Sequence, residues 1–113
     1  MSEEIVVMAD AGGRVCFWSA GAARMFGHPA AQMLGQSLEV IIPPEYRHAH
    51  RQGFQRAMLA GQAAAEGQPG PFPVLRADGT ILAIDGRLTL LRDPAGKVIA
   101  ATVVYAGGGA GQH

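Results

Sequence analysis

The stretch FPVLRADGTILAIDGRLTLLRDPAGKVIAATVVYA, residues 72–106, decides the fold class. It holds three strand-like runs separated by two turn signals, Asp78-Gly79 and the segment from Asp93 to Gly96. In the middle run, aliphatic residues share one strand face and mostly polar residues share the other. The first set is Leu82, Ile84, Leu88 and Leu90, and the second is Ile81, Asp85, Arg87 and Thr89. This alternation predicts a half-buried antiparallel strand.

The N-terminal third predicts a hairpin followed by short helices. Two apolar, β-rich runs, residues 5–9 and 14–19, flank the turn signal DAGG at residues 10–13. The segments AGAARMFG and HPAAQMLG each predict a short helix that ends at a glycine. Ser37 is expected to cap a further short turn, which the double proline at residues 43–44 ends.

The longest helix is predicted for residues 45–60, with Gly61 as its stop, and residues 61–71 are predicted to form a loop. The apolar face of the five predicted strands must be buried, and the predicted helices are the only other elements that can pack on it. The order therefore predicts an α+β fold, a five-stranded antiparallel sheet with short helices packed on one face. Residues 1–106 form the single domain, and the Gly-rich tail 107–113 is expected to be flexible.

Composition narrows the function classes. The 113 residues suffice for one core, and nine basic residues balance nine acidic ones, so we expect neither a nucleic-acid partner nor a membrane partner. No apolar run approaches the ~20 residues that span a bilayer, and the acidic start MSEEIVVMAD is unlike a signal peptide. A single cysteine, Cys16, excludes an internal disulfide. We expect a cytoplasmic protein.

The whole-chain pattern resembles the PAS sensor domain. Residues 5–28, 34–54 and 76–104 are similar, in order and spacing, to the opening strands and helix, the central turn and long helix, and the closing hairpins of that family. Two features depart from it: Ser19 stands where the family usually has Asn, which is expected to weaken a local turn, and YAGGGAGQH stands where a signalling helix usually follows.

The resemblance implies a non-catalytic sensory or regulatory module. Such modules belong to bacterial-type signal-transduction or transcription-regulatory proteins, sensor histidine kinases among them. They bind a small ligand or an effector domain and often form homodimers. We accordingly expect no enzyme activity, a small-molecule or effector-domain partner, and a homodimer.

The two histidines of the long helix face opposite ways. At about 100° per residue, His50 lies at the centre of the apolar stripe with Tyr46, Phe54 and Ala57, whereas His48 lies on the far side. We expect His50 to point at the sheet and His48 at solvent. Two imidazoles that diverge in this way cannot share a metal ion.

A sheet cupped by short helices leaves room for an interior ligand pocket. The side chains predicted to line it are Phe17, Met25, Phe26, Leu34, Ile41, Tyr46, His50, Phe54, Ile84, Leu88 and Val103.

Haem is the alternative cofactor, with His50 as the proximal ligand. The helix resembles that of oxygen-sensing haem PAS domains, because Pro43, Arg47 and His50 match their spacing. Gly53 costs ~1 kcal/mol in a helix interior, which hints at a flat neighbour. The resemblance is incomplete, since the loop before Pro71 offers Gln68 but no Arg or Met, and no cation is placed to anchor the propionates. His50 would be a metal ligand only if haem is bound.

Two other hypotheses are a flavin cofactor and a role in dimerisation. Flavin is not expected, because Cys16 lies in a predicted strand, where it reads as a small buried hydrophobe, and not in the Asn-Cys helix of flavin photoreceptors. A dimerisation module with a filled core is the remaining alternative. The outer face of the sheet and the segment before Ile5 would then carry the contacts.

Overall fold

A computed structural model describes residues 3–106, so the predicted tail 107–113 lies outside the described part. Five strands form one sheet in the order β2-β1-β5-β4-β3, and each neighbouring pair is antiparallel. The strands are β1 Ile5–Asp10, β2 Val15–Trp18, β3 Pro69–Leu75, β4 Ile81–Arg92 and β5 Val98–Tyr105. The predicted fold class is confirmed.

The helical middle is built from short pieces. It consists of α1 Ala20–Phe26, α2 Ala30–Met33, the 3₁₀ turns Leu38–Ile41 and Pro44–Tyr46, and α3 Arg47–Ala60. Gly27 and Gly61 end α1 and α3 in the left-handed conformation, with φ of 88° and 76°, which glycine adopts without strain. Among residues 3–106, no helix is both long enough and apolar enough to cross a bilayer.

Ser19 fixes α1 to the start of β1. Its hydroxyl accepts from the backbone N–H groups of Val6 (2.9 Å) and Ala22 (3.1 Å), and donates to the carbonyl of Glu4 (2.9 Å). One serine thus satisfies three backbone groups at this turn, and the expected weakening relative to Asn stays a prediction. Ser37 caps the first 3₁₀ turn by accepting from Glu39 N–H, as predicted.

The loop after α3 is shorter than predicted. Strand β3 begins at Pro69, so the predicted loop 61–71 gives up its last three residues to the sheet. Prolines 69, 71 and 73 alternate along β3, which is an edge strand bonded only to β4. Because alternate residues direct their N–H groups to the same side of a strand, all three missing donors face the open edge, where proline is tolerated.

The space between helices and sheet has a packed half and a hollow half. Under α1 and α2 the side chains of Trp18, Phe26, Met33 and Ile41 are almost fully buried. Edge-to-face aromatic contacts continue from Trp18 through Phe26 to Tyr105, with ring centroids 5.9 and 5.1 Å apart. Beyond Tyr105, between α3 and the sheet, the core is less completely filled, although Ala57 of α3 is buried.

Candidate ligand-binding site

A cavity of about 770 Å³ lies between α3, the loop after it and the inner face of the sheet. This volume falls within the range of ~300–1,000 Å³ that is typical of small-molecule pockets. The helical wall and the loop contribute Leu38, Ile41, Ile42, His50, Gly53, Phe54, Arg56, Ala57, Met58, Ala60, Gln62, Ala63, Ala64 and Ala65. The sheet contributes Val7, Ala9, Phe72, Leu88, Leu90, Ala101, Val103 and Tyr105.

The cavity exists because small residues face one another across it. Helix α3 contributes Gly53, Ala57 and Ala60 to the lining, and the sheet contributes the equally small Ala9 and Ala101 on the opposite side. A Cβ atom added at Gly53 would meet no heavy atom within 4 Å. The predicted flat neighbour of Gly53 is therefore not a protein group, and the glycine opens onto empty space.

Four side chains with polar groups interrupt the apolar lining, namely His50, Arg56, Gln62 and Tyr105. His50 is half-buried, whereas Arg56 and Gln62 are exposed and mark the solvent side of the cavity. Among residues 3–106, no carboxylate lines the cavity, and Arg56 has no ion-pair or hydrogen-bond partner. The site thus combines an apolar interior with a cationic mouth.

The surroundings of His50 favour its neutral imidazole. Burial lowers the pKa of His50, and the nearby charge of Arg51 lowers it further, while Glu39 acts in the opposite direction. The ring stacks on Phe54 with a centroid separation of 6.0 Å and an interplanar angle of 28°. Its Nδ1 atom is buried and has no hydrogen-bond partner in the described part of the chain. An unpaired buried polar atom carries a free-energy cost that a ligand or an ordered water can relieve.

His50 and Phe54 also separate the cavity from a second pocket of about 200 Å³ at the surface, since both residues line both spaces. The surface pocket holds the ion pair in which Arg51 donates to the two carboxylate oxygens of Glu39, at 2.8 and 2.6 Å. This hydrogen bonding keeps the pKa of Glu39 below its usual range. His50 therefore lies between the cavity and this surface ion pair, and Leu38 also lines both spaces.

Near His50, the second histidine of α3 faces solvent, and Arg47 of the haem-like pattern has a structural role. His48 is exposed, as predicted, on the opposite side of α3 from His50. Arg47 donates through Nε to the carbonyls of Glu39 (3.1 Å) and Ile42 (2.9 Å), so it fastens the start of α3 to the first 3₁₀ turn. Between residues 3 and 106, no three His, Cys, Asp or Glu side chains cluster as metal ligands.

The chain matches the family described as the PAS fold over residues 2–105. It belongs to the PAS family. An uncharacterized protein of Azorhizobium caulinodans is 33% identical over 81 residues, which cover 71% of this chain but only 11% of that protein. The PAS domain therefore corresponds to a small part of that much longer relative.

Solved structures share the fold at low sequence identity. The PAS domain of a protein from Colwellia psychrerythraea superposes with a TM-score of 0.73 at 18% identity, covering 92% of this chain and 85% of that one. A light-oxygen-voltage domain studied with a flavin analogue gives a TM-score of 0.71, also at 18% identity, over 93% of this chain and 77% of that one. These similarities show the PAS fold.

Five of the eleven side chains predicted to line the pocket of this PAS domain lie around the cavity: Ile41, His50, Phe54, Leu88 and Val103. Three others belong to the packed half of the core or its border, where Phe26 and Ile84 are buried and Met25 packs against them. The structure thus divides the predicted set between a filled core and a cavity.

The last three predicted lining residues are largely exposed, which corrects the prediction for each of them. Phe17 (47% exposed) lies on the outer sheet face, because it pairs with Met8 while Trp18 takes the inner position. Leu34 (50%) follows a one-turn helix whose inward position is taken by Met33. Tyr46 (48%) ends a 3₁₀ turn, whose ~120° per residue rotates it away from the α-helical stripe.

Several lining residues escaped the sequence analysis. Arg56 was not among the predicted lining residues, and the alanines of residues 63–65 fall in the predicted loop 61–71. Gln68, the polar residue noted in the loop before Pro71, does not line the cavity, whereas Gln62 does. A further correction concerns Cys16, which is exposed and not buried, because β2 places only its two terminal residues inward.

Proposed function

We propose that this PAS domain is a non-catalytic sensory module that binds a small, largely apolar molecule in the cavity beneath α3. The observation that carries the proposal is the empty apolar space of about 770 Å³ in a fold whose other half is tightly packed. Filling such a space gains roughly 25 cal/mol for each Å² of apolar surface removed from water. A filled-core dimerisation module does not agree with this space.

The bound molecule would act by linking α3 to the sheet. The cavity is shared by α3, the loop after it and the inner face of β4 and β5, so an occupant would contact all of them at once. A conformation in which these elements close on the molecule gains population when it binds. His50 would report the event outward, because it also borders the surface pocket with the ion pair of Glu39 and Arg51.

Cavity occupancy can be tested with a neutral apolar probe. We expect decanol to raise the melting temperature of the wild-type domain and to be retained in native mass spectrometry. Ala101→Phe fills the cavity from the inner face of β5 and should abolish both effects. Thr89→Phe, on the exposed outer face of β4, is the matched control and should retain them. Equal binding by both variants would refute the proposal.

Haem is the second candidate, favoured by the neutral imidazole of His50 in the cavity wall. Arg56 at the mouth offers the cation that propionates need. The fit is incomplete, since Nδ1 of His50 is buried without a hydrogen-bond partner, so a ligating Nε2 would lack the usual acceptor on the other ring nitrogen. Reconstitution decides: a Soret band that disappears in His50→Ala would support haem, and the absence of any band would exclude it.

We further propose that the domain serves a larger signal-transduction or transcription-regulatory protein as a homodimer. Its outer sheet face carries the exposed side chains of Phe17 and Val104, together with Val6 and Met8 between them. Sedimentation at rising concentration tests this contact. A Phe17→Asp variant should remain monomeric where the wild type associates, and a wild type that stays monomeric throughout would refute self-association.

A further inference from the structure

We propose that the ligand class of this cavity is a monocarboxylate with an apolar body, whose carboxylate pairs with Arg56 at the mouth. This inference rests on the proposed function, because it needs the cavity to be a binding site. It adds the chemistry of the head group and names the residue that recognises it.

Charge inside the site points to an anion. Arg56 is the one cation in the lining, and the part of the lining within residues 3–106 contains no Asp or Glu. A site with one uncompensated positive charge and low-dielectric walls attracts a negative ligand group. His50 is half-buried, and burial lowers its pKa, so this side chain favours its uncharged form and Arg56 remains the charged group of the lining.

Arg56 is free to take a ligand, whereas the neighbouring charges are engaged. Glu66, the nearest acid in the loop, accepts from both terminal nitrogens of Arg92 (3.0 and 3.3 Å) and from the backbone N–H of Leu90 (3.0 Å). Arg92 also donates to the carbonyl of Gly61 (2.9 Å). These bonds attach the loop to β4, and the charges of Glu66 and Arg92 neutralise each other. The mouth therefore retains the charge of Arg56.

The geometry separates head from tail. Arg56 and Gln62 are exposed at the solvent side, where a carboxylate keeps part of its hydration, while the sheet side of the cavity is built from buried residues such as Val7 and Leu90. His50 lies six residues from Arg56 along α3, about 9 Å at ~1.5 Å per residue. An elongated molecule can therefore place its carboxylate at Arg56 and its apolar end near His50.

The test compares acids with matched alcohols. Binding of octanoate, decanoate, octanol and decanol is measured by calorimetry, below the concentrations at which they aggregate, on the wild type and on Arg56→Gln. We expect affinity to rise about fourfold per added methylene in both series. Each acid should bind up to about fivefold more tightly than its alcohol, the upper end for an exposed ion pair, and Arg56→Gln should remove that advantage without weakening the alcohols.

The control is Arg76→Gln, which removes the same charge from the hairpin between β3 and β4, outside the cavity. It should leave the preference for acids unchanged, and added salt should weaken acid binding only. If alcohols bind as tightly as acids, or if Arg76→Gln acts like Arg56→Gln, the inference is overturned while the proposed function stands. If neither series binds, both fall.

Discussion

Gly53 offers the sharpest test of the hollow half of this domain. It lies in the middle of α3, where glycine costs about 0.5–1 kcal/mol relative to alanine because the unfolded chain loses more freedom on folding. A Cβ atom at this position would meet nothing within 4 Å. Gly53→Ala should therefore stabilise the protein by the full difference in helix propensity, about 0.5–1 kcal/mol.

The corresponding change in melting temperature follows from the size of the chain. At ~2.1 cal/mol/K per residue, the 113 residues have an unfolding entropy of about 0.24 kcal/mol/K. Gly53→Ala should accordingly raise the melting temperature by about 2–4 °C and shift the urea midpoint upward without changing the slope. Circular dichroism during thermal and urea unfolding measures both quantities.

Gly21→Ala is the matched control, because it makes the same substitution inside α1. There the added Cβ would lie 2.9 Å from the carbonyl carbon of Glu4 and closer still to its oxygen, and backbone atoms cannot move aside cheaply. Overpacking of this kind costs about 1–3 kcal/mol, which exceeds the gain in propensity. We expect Gly21→Ala to destabilise the protein.

A larger residue at Gly53 separates stability from binding. Gly53→Leu keeps a good helix former and places its side chain in the cavity, so it should be at least as stable as the wild type and should no longer bind decanol. If Gly53→Ala is destabilising, α3 packs against the sheet and the cavity does not exist. Retained decanol binding by a stable Gly53→Leu variant would place the ligand elsewhere.

Three further predictions concern other parts of the fold. Because the pKa of His50 is lowered below its ordinary 6.5, the unfolded chain takes up the proton before the folded one as the pH falls. The free energy of unfolding should therefore decrease below about pH 6.5, by at most ~1.4 kcal/mol per pH unit. Urea titrations measure this slope, which should flatten in His50→Gln but persist in His48→Gln. Ser19→Ala should cost about 1–2 kcal/mol by loss of its cap and its bond to β1, more than Ser37→Ala, and equal unfolding free energies would contradict this. Gly86→Ala should lower the melting temperature, since the new carbon would lie 2.9 Å from a valine methyl on β5, and an unchanged value would show that the strands can separate there.

Local chemistry made much of the architecture predictable. The alternation in residues 81–90 identified β4, and the buried set it predicted includes Ile84 and Leu90. The 100° period separated His50 from His48 correctly, because both lie within regular α-helix. The cap at Ser37 was predictable because its hydroxyl accepts from the N–H of Glu39, only two residues further along the chain. Each of these features depends on residues close together in the chain.

The cavity was predicted only in part, because it depends on what stands opposite α3. A helical period tells which face points inward, but not whether the facing residues are large or small. Phe26 and Ile84 are apolar and face inward, yet both pack in the same buried cluster and neither lines the space beside His50. Arg56 lies at the flank of the stripe, where a long side chain can reach a mouth that only the tertiary structure defines.

The alternate prolines of β3 decide how this domain can meet other chains. The open border of β3 can accept hydrogen bonds at residues 69, 71 and 73 but donate none there, so an incoming strand would find only half of a ladder. At the opposite border, Val15 already exchanges backbone bonds with Gly35 and Gln36, at 2.8 Å each. Because β3 offers only half of a ladder and Val15 of β2 is already bonded, we expect a partner to approach through side chains on the sheet surface or through the helical layer. Recognition of such a partner would then depend on side-chain identity and not on generic backbone pairing.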